Sequence, residues 1–340
     1  MNFLGFAFHL ALLVAVQLTT FTWAATNMTK TSGKDYIEQG QHLGERPVRR
    51  IVPKCIFKHF SLGGFKPLFP EPKGVTFKSI CPKNQYAIFY NNVWGIPSYS
   101  LYKITAGQAT TVPVPRPKGD PWQPNQTPGI HQGSEVLYRN QPIQGRYERG
   151  HVVPVNILRY SDESARATFT YTNCVPQIAG FNRGVWKKYE GKIVEYARDY
   201  CAPNGGTLYL ITGTSQVKFE EILNLQGQIT GVDKSVKPME WFHDNVNIYP
   251  ALGPKIAIPN SMWTVGCCWK DNYGVVGAFG VMGDNSLNPS MNEFMMSTQT
   301  VGYVENVLRL EHPNLKLELF PGMKGKNCYE LGKNVPLANL

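Results

Sequence analysis

Residues 146–154 read RYERGHVVP, and residues 173–190 read NCVPQIAGFNRGVWKKYE. Through and beyond the second stretch, Phe181, Val185, Tyr189, Ile193 and Ala197 recur at every fourth position, which predicts one apolar face of a helix from about Gly180 to Tyr200. Pro203 and the pair Gly205-Gly206 end it. Asn182, Trp186 and Glu190 follow the same four-residue step. Each step turns roughly 400°, so the three drift only about 80° across one helix face. An amide oxygen and a carboxylate placed this way can hold a hydrated hard cation, directly or through its waters. In the first stretch, Gly150 is expected to let the backbone turn tightly and expose the His151 ring. Arg149 supplies a planar fork suited to a phosphate. A histidine with an ordinary pKa of about 6.5 accepts a proton from water near neutral pH.

Cleavage of a phosphodiester backbone needs a base for the attacking water, an electrophile for the leaving oxygen and donors for the pentavalent phosphate. His151, a cation on Asn182, and Arg149 supply one each. Taken singly, each has a plainer role: a core histidine, a helix-start asparagine, and, for Glu190 beside Lys187, a solvated helix face. Their combination is what points to chemistry.

Outward from this centre, Thr168–Thr172 alternates apolar and polar side chains and predicts a half-buried strand. Residues 207–212, 255–258, 262–269 and 274–282 read as further strands. Ser290-Met291-Asn292-Glu293 matches a capping box opening a second helix, with Val301, Val304 and Leu308 on its apolar face. Residues 107–145 are rich in Pro, Gly and Gln and are expected to form a long ordered loop rather than an interdomain linker. Strands and helices mixed without βαβ regularity predict an α+β fold with a mixed or antiparallel sheet and flanking helices.

The composition is compatible with this. A hydrophobic content of 42% and 12% aromatics suffice for a sizeable core and exclude a disordered chain. Residues 1–24 read as a secretory signal peptide, because the apolar run from Phe3 to Val16 is short for a membrane span and small residues follow it. Asn27-Met28-Thr29 and Asn125-Gln126-Thr127 are glycosylation sequons that suit the same route. The seven cysteines include no CxxC pair, which argues against a structural zinc site and for disulfides. Cys55 and Cys81 would close a local loop. The adjacent Cys267 and Cys268 are expected to reach different partners among Cys201 and Cys328, leaving Cys174 unpaired as a small buried hydrophobe. The net charge of +10 suits a polyanionic partner, since neutralised phosphates release counterions. No GxSxG elbow supports a serine hydrolase.

The run Arg149-Gly150-His151-x-x-Pro154 resembles the Asp-Arg-Gly-His-x-x-Pro motif of the DNA/RNA non-specific endonucleases, the Serratia-nuclease-like members of the ββα-metal (His-Me finger) group. Asn173-x-x-Pro176-Gln177, followed by Asn182, Trp186 and Glu190, is similar to the family's second block. Gly206–Gly213 and Lys255–Trp263 resemble two later strand motifs. The resemblance spans Phe89 to Leu319, and the cysteine pattern is closer to the secreted animal branch, the endonuclease-domain-containing-1-like proteins.

The resemblance implies a β-hairpin packed on the 180–200 helix within one domain, residues 51–330, after a basic segment 25–50 and before a tail 331–340. It implies His151 as general base and Asn182 as the direct protein ligand of a magnesium ion, with manganese or calcium as alternatives. Glu190 would orient the ion's waters, Arg149 would steady the phosphate, and Asn173 and Gln177 would support the site. An upstream arginine on the phosphate would be Arg116 or Arg146. The substrate would be DNA or RNA held through its backbone, and a catalytically silent nucleic-acid-binding module is the competing expectation. One departure is Glu148, where the family motif has aspartate.

Overall fold

The computed structural model describes residues 67, 76–244, 255–288, 299–321 and 328. The chain divides into two units, Met1–Arg50 and Ile51–Leu340, and all described residues lie in the second. The expected signal peptide, the basic segment 25–50 and the tail 331–340 fall outside the described residues.

The strands are β1 (Phe77–Ile80), β2 (Ala87–Asn91), β3 (Ile96–Ile104), β4 (Tyr147–His151), β5 (Cys174–Ile178), β6 (Thr207–Ser215), β7 (Val217–Leu223), β8 (Ile229–Val236), β9 (Glu240–His243), β10 (Lys255–Ile258), β11 (Ser261–Lys270) and β12 (Gly274–Asp284). Six of them form an antiparallel sheet in the order β1-β2-β3-β6-β11-β12. The other six pair as two-stranded ribbons, β4 with β5, β7 with β8, and β9 with β10.

Both faces of the central sheet are buried, and the period of two divides each strand between them. Leu208, Leu210, Met262, Cys268, Phe279 and Val281 pack on the face that carries Phe181, Trp186, Tyr189 and Ile193. Tyr209, Ile211, Trp263, Val265 and Cys267 pack on the opposite face, with Val301, Val304 and Leu308. The result is a sheet between two helical layers, an α+β architecture.

The same alternation explains the adjacent cysteines. Cys267 and Cys268 point to opposite faces, so Cys268 bonds Cys201 at the end of the long helix and Cys267 bonds Cys328 on the other side. Cys81 is also disulfide-bonded, while its expected partner, Cys55, lies outside the described residues. Cys174 is free and buried, its Sγ donating to the Tyr138 hydroxyl at 3.3 Å. Burial pushes its thiol up to about 12, which makes it an inert small side chain rather than a nucleophile.

Two expectations need correction. Thr168–Thr172 is not a strand: Thr168 closes the helix Asp162–Ala167, and Tyr171–Asn173 forms a 3-10 turn. Local side-chain bonds hold the chain in this shape, with Thr168 Oγ1 donating to the Ala165 carbonyl at 2.8 Å and Asn173 Nδ2 to the Thr168 carbonyl at 3.0 Å. The last helix, Val301–Leu308, buries the expected apolar residues but starts from an extended Thr300 whose side chain caps Tyr303 N. The capping box at 290–293 lies outside the described residues.

Candidate active site

β4 and β5 run antiparallel in the register Glu148↔Gln177, Arg149↔Pro176, Gly150↔Val175 and His151↔Cys174. The chain then enters a continuous helical run of Ala179–Phe181, Asn182–Trp186, Lys187–Glu195 and Tyr196–Cys201. The second and fourth of these segments are wide π-type turns. This is the expected ββα unit. Buried Asn285 ties it to the central sheet: its Oδ1 accepts from Ile178 N at 2.8 Å, and its Nδ2 donates to the Pro176 and Pro259 carbonyls.

Gly150 acts differently from the expectation. It lies within a regular strand, with no positive φ. What it provides is space, since a Cβ there would collide with the Gln177 side chain. Nor is His151 exposed by a turn, for it retains only 8% of its surface. The Trp122 ring lies 4.6 Å from the imidazole and the Phe169 ring stands edge-on at 4.9 Å. Nε2 is buried without a hydrogen-bond partner. Desolvation, reinforced by Arg116 and Arg149, pulls the imidazole down to about 3.

A cleft of about 630 Å³ gathers His151, Arg149, Arg116, Asn182 and Glu190. Arg149 Nη1 donates to both Asp120 carboxylate oxygens at 3.0 and 2.9 Å. The Arg116 guanidinium sits 5.3 Å over the Phe169 ring. Asn182 Nδ2 donates to Glu148 Oε2 at 2.8 Å, and Arg183 pairs with the same carboxylate. Glu190 is partly exposed at the cleft wall, yet burial drives its carboxyl up to about 8 against the opposing pull of Arg116 and Lys187.

Trp186 does not share the face of Asn182 and Glu190. It turns into the core against Phe181 and Tyr189, because the wide turn and the non-helical Gly184 (φ −89°, ψ −117°) alter the angular step. Of the two candidate upstream arginines, Arg116 lines this cleft. Arg146 stacks on Tyr147 and lines two smaller cavities instead. Asn173 is a scaffold residue, with Oδ1 accepting from Val153 N at 2.9 Å and Nδ2 donating to the Val153 carbonyl at 3.0 Å. Gln177 is fully buried beneath Gly150, its amide without hydrogen-bond partners.

The sequence reading gives no site role to Asp120, Trp122 or Lys187, yet all three line the cleft. A tryptophan and an acid four to six residues after Arg116, inside a proline-rich loop, was the available signal.

Among the described residues no group of three or more His, Cys, Asp or Glu side chains gathers as a metal cage. The donor set that does exist, one amide oxygen with nearby carboxylates, fits a hydrated hard cation held largely through its waters. The Glu148 bond engages the Asn182 amide nitrogen and does not use its Oδ1.

The two shifted groups oppose each other in stability. The folded chain holds the Glu190 proton up to about pH 8 against an ordinary value of 4.5, so stability falls as pH rises through that window. The unfolded chain protonates His151 below about 6.5 and the folded chain only near 3, so stability falls as pH drops through that window. Between 4.5 and 6.5 the slopes cancel, and above 6.5 only that of Glu190 remains. Without metal ion, Glu190→Gln is therefore expected to remove a loss of up to about 1.4 kcal/mol per pH unit between about 6.5 and 8. Denaturant titrations across that range with equal pH slopes for wild type and variant would contradict it.

The sequence profile described as DNA/RNA non-specific endonuclease matches residues 71–316, most of the chain. The chain belongs to the DNA/RNA non-specific endonuclease family. A nuclease of Nostoc sp. is 27% identical over 183 residues, covering 50% of this chain and 60% of that protein, so the match spans less than two thirds of this relative's length. A chain from the crystal structure of the EndoG/EndoGI complex shares the fold, with a TM-score of 0.50 and 18% identity over 76% of this chain and 91% of its own. Within this endonuclease family, the glutamate at 148 keeps a carboxylate beside the helix start and uses it to hold Asn182.

Proposed function

We propose that this protein is a secreted, divalent-metal-dependent endonuclease that hydrolyses DNA or RNA phosphodiester bonds with little sequence specificity. The observation that carries the reading is the convergence of His151, Arg116, Arg149, Asn182 and Glu190 on one cleft. His151 Nε2 accepts the proton of the attacking water, and its burial keeps it in the neutral, accepting form. Arg116 and Arg149 donate to the non-bridging phosphate oxygens and stabilise the charge of the pentavalent phosphorus. Asn182 Oδ1 and Glu190 would hold a magnesium ion, directly or through its waters. That ion supplies an electrophile for the leaving oxygen. Contacts to phosphate rather than to base edges carry no sequence information, which accounts for the low specificity.

Export is supported by the two disulfides Cys201–Cys268 and Cys267–Cys328. Among the described residues, no helix is long and apolar enough to cross a membrane. The test is incubation of the purified protein with circular plasmid and with RNA, in magnesium and in EDTA. Nicking and linearisation in magnesium, abolished by EDTA, is the expected result. Intact nucleic acid in both conditions would favour a silent binding module.

A further inference from the structure

The loop after β3 carries Asp120 and Trp122 into the cleft. It is fixed on both sides of that pair: Val114 N donates to the Arg159 carbonyl at 2.8 Å, Gln123 N to the Phe169 carbonyl at 2.9 Å, and Tyr171 N to the Gln123 carbonyl at 3.1 Å. Between these anchors, the Asp120–Arg149 ion pair at 2.9 Å ties the segment to β4, and the Trp122 ring also meets Phe169 edge-on at 5.4 Å and Tyr171 at 5.8 Å. The Tyr171 hydroxyl accepts from the same arginine nitrogen at 3.4 Å. The Arg149 guanidinium lies 5.6 Å over the Trp122 ring, and that ring lies 4.6 Å from the His151 imidazole. One contiguous stack thus links Asp120 to the buried, unpartnered Nε2 of His151.

A carboxylate and a phosphodiester present a guanidinium with the same feature, two anionic oxygens in a plane. Both cannot occupy one face of Arg149. A histidine screened by Trp122 and Phe169 also cannot take a proton from water until the screen shifts. We infer that Asp120 is a positioning residue that occupies the phosphate's place on Arg149 and holds Trp122 over His151. Incoming nucleic acid exchanges its phosphate for the Asp120 carboxylate and releases the strap. The inference rests on the endonuclease reading for the roles of Arg149 and His151.

Binding is measured in EDTA, by fluorescence anisotropy of a short labelled DNA duplex, so that it does not depend on cleavage. Asp120 is substantially exposed, with 44% of its side chain accessible, and a partly solvated ion pair contributes modestly. Asp120→Asn is therefore expected to tighten binding by about fivefold. Asp120→Glu, which keeps the competing charge, is expected to bind as wild type does. In the absence of nucleic acid, carbethoxylation of His151 by diethyl pyrocarbonate, located by mass spectrometry, is expected to be faster in Asp120→Asn than in wild type. Unchanged or weaker duplex binding by Asp120→Asn, or an unchanged rate of His151 modification, would overturn the inference. Failure of the endonuclease reading appears separately, as uncut plasmid in magnesium.

Discussion

His151→Ala is expected to slow plasmid hydrolysis by about 10²- to 10⁴-fold, the range typical of removing a positioned general base. The imidazole is the one histidine lining the cleft, and its Nε2 has no other hydrogen-bond duty among the described residues. Burial between Trp122 and Phe169, with Arg116 and Arg149 nearby, pulls its pKa down to about 3, so the ring is neutral near pH 7. Binding of nucleic acid in EDTA should persist, because Arg116, Arg149 and Lys187 remain in place. Some catalysis should survive too, since phosphate stabilisation by the arginines is untouched. A variant that nicks plasmid within about tenfold of the wild-type rate would remove His151 from the role of base.

Asn182→Ala should cost on the order of 10²- to 10³-fold, because it deletes the amide oxygen assigned to the metal ion, whose electrophilic contribution is worth several kcal/mol. The magnesium concentration required for half-maximal activity should rise in the same variant. Asn182→Asp offers a sharper comparison. It restores an oxygen ligand but replaces the amide that donates to Glu148 Oε2 at 2.8 Å with a second carboxylate. Like charges at that distance repel, so the aspartate variant should recover only part of the loss unless Glu148 is also changed to Gln. Wild-type magnesium dependence in Asn182→Ala would show that the ion is held elsewhere.

The fold and most of the residues that line the candidate cleft could be read from the chain because their determinants are local or periodic. Phe181, Tyr189, Ile193 and Ala197 all became core residues of one helical run, and the alternation along β6 and β11 placed neighbouring residues on opposite faces of the sheet. That same period of two sends Cys267 and Cys268 to different partners, while the fold decided that Cys268 meets Cys201 and Cys267 meets Cys328. Pattern misled where side-chain bonds competed with it. Thr168–Thr172 alternates like a strand, but Thr168 and Asn173 spend their hydrogen bonds on nearby carbonyls and fold the segment into turns.

By itself the sequence pointed to an α+β endonuclease-family chain with a ββα unit, and it offered His151, Arg149, Asn182 and Glu190 as the candidate chemical set. Only the tertiary structure decided between Arg116 and Arg146, turned Trp186 away from the cleft, made Gly150 a gap for Gln177, and brought Asp120 and Trp122 onto Arg149 and His151. Asp120 and Arg149 are 29 residues apart. No local spacing encodes such a contact, because it arises when a long loop is anchored to distant turns at Arg159 and Phe169 and the charge between its anchors meets Arg149.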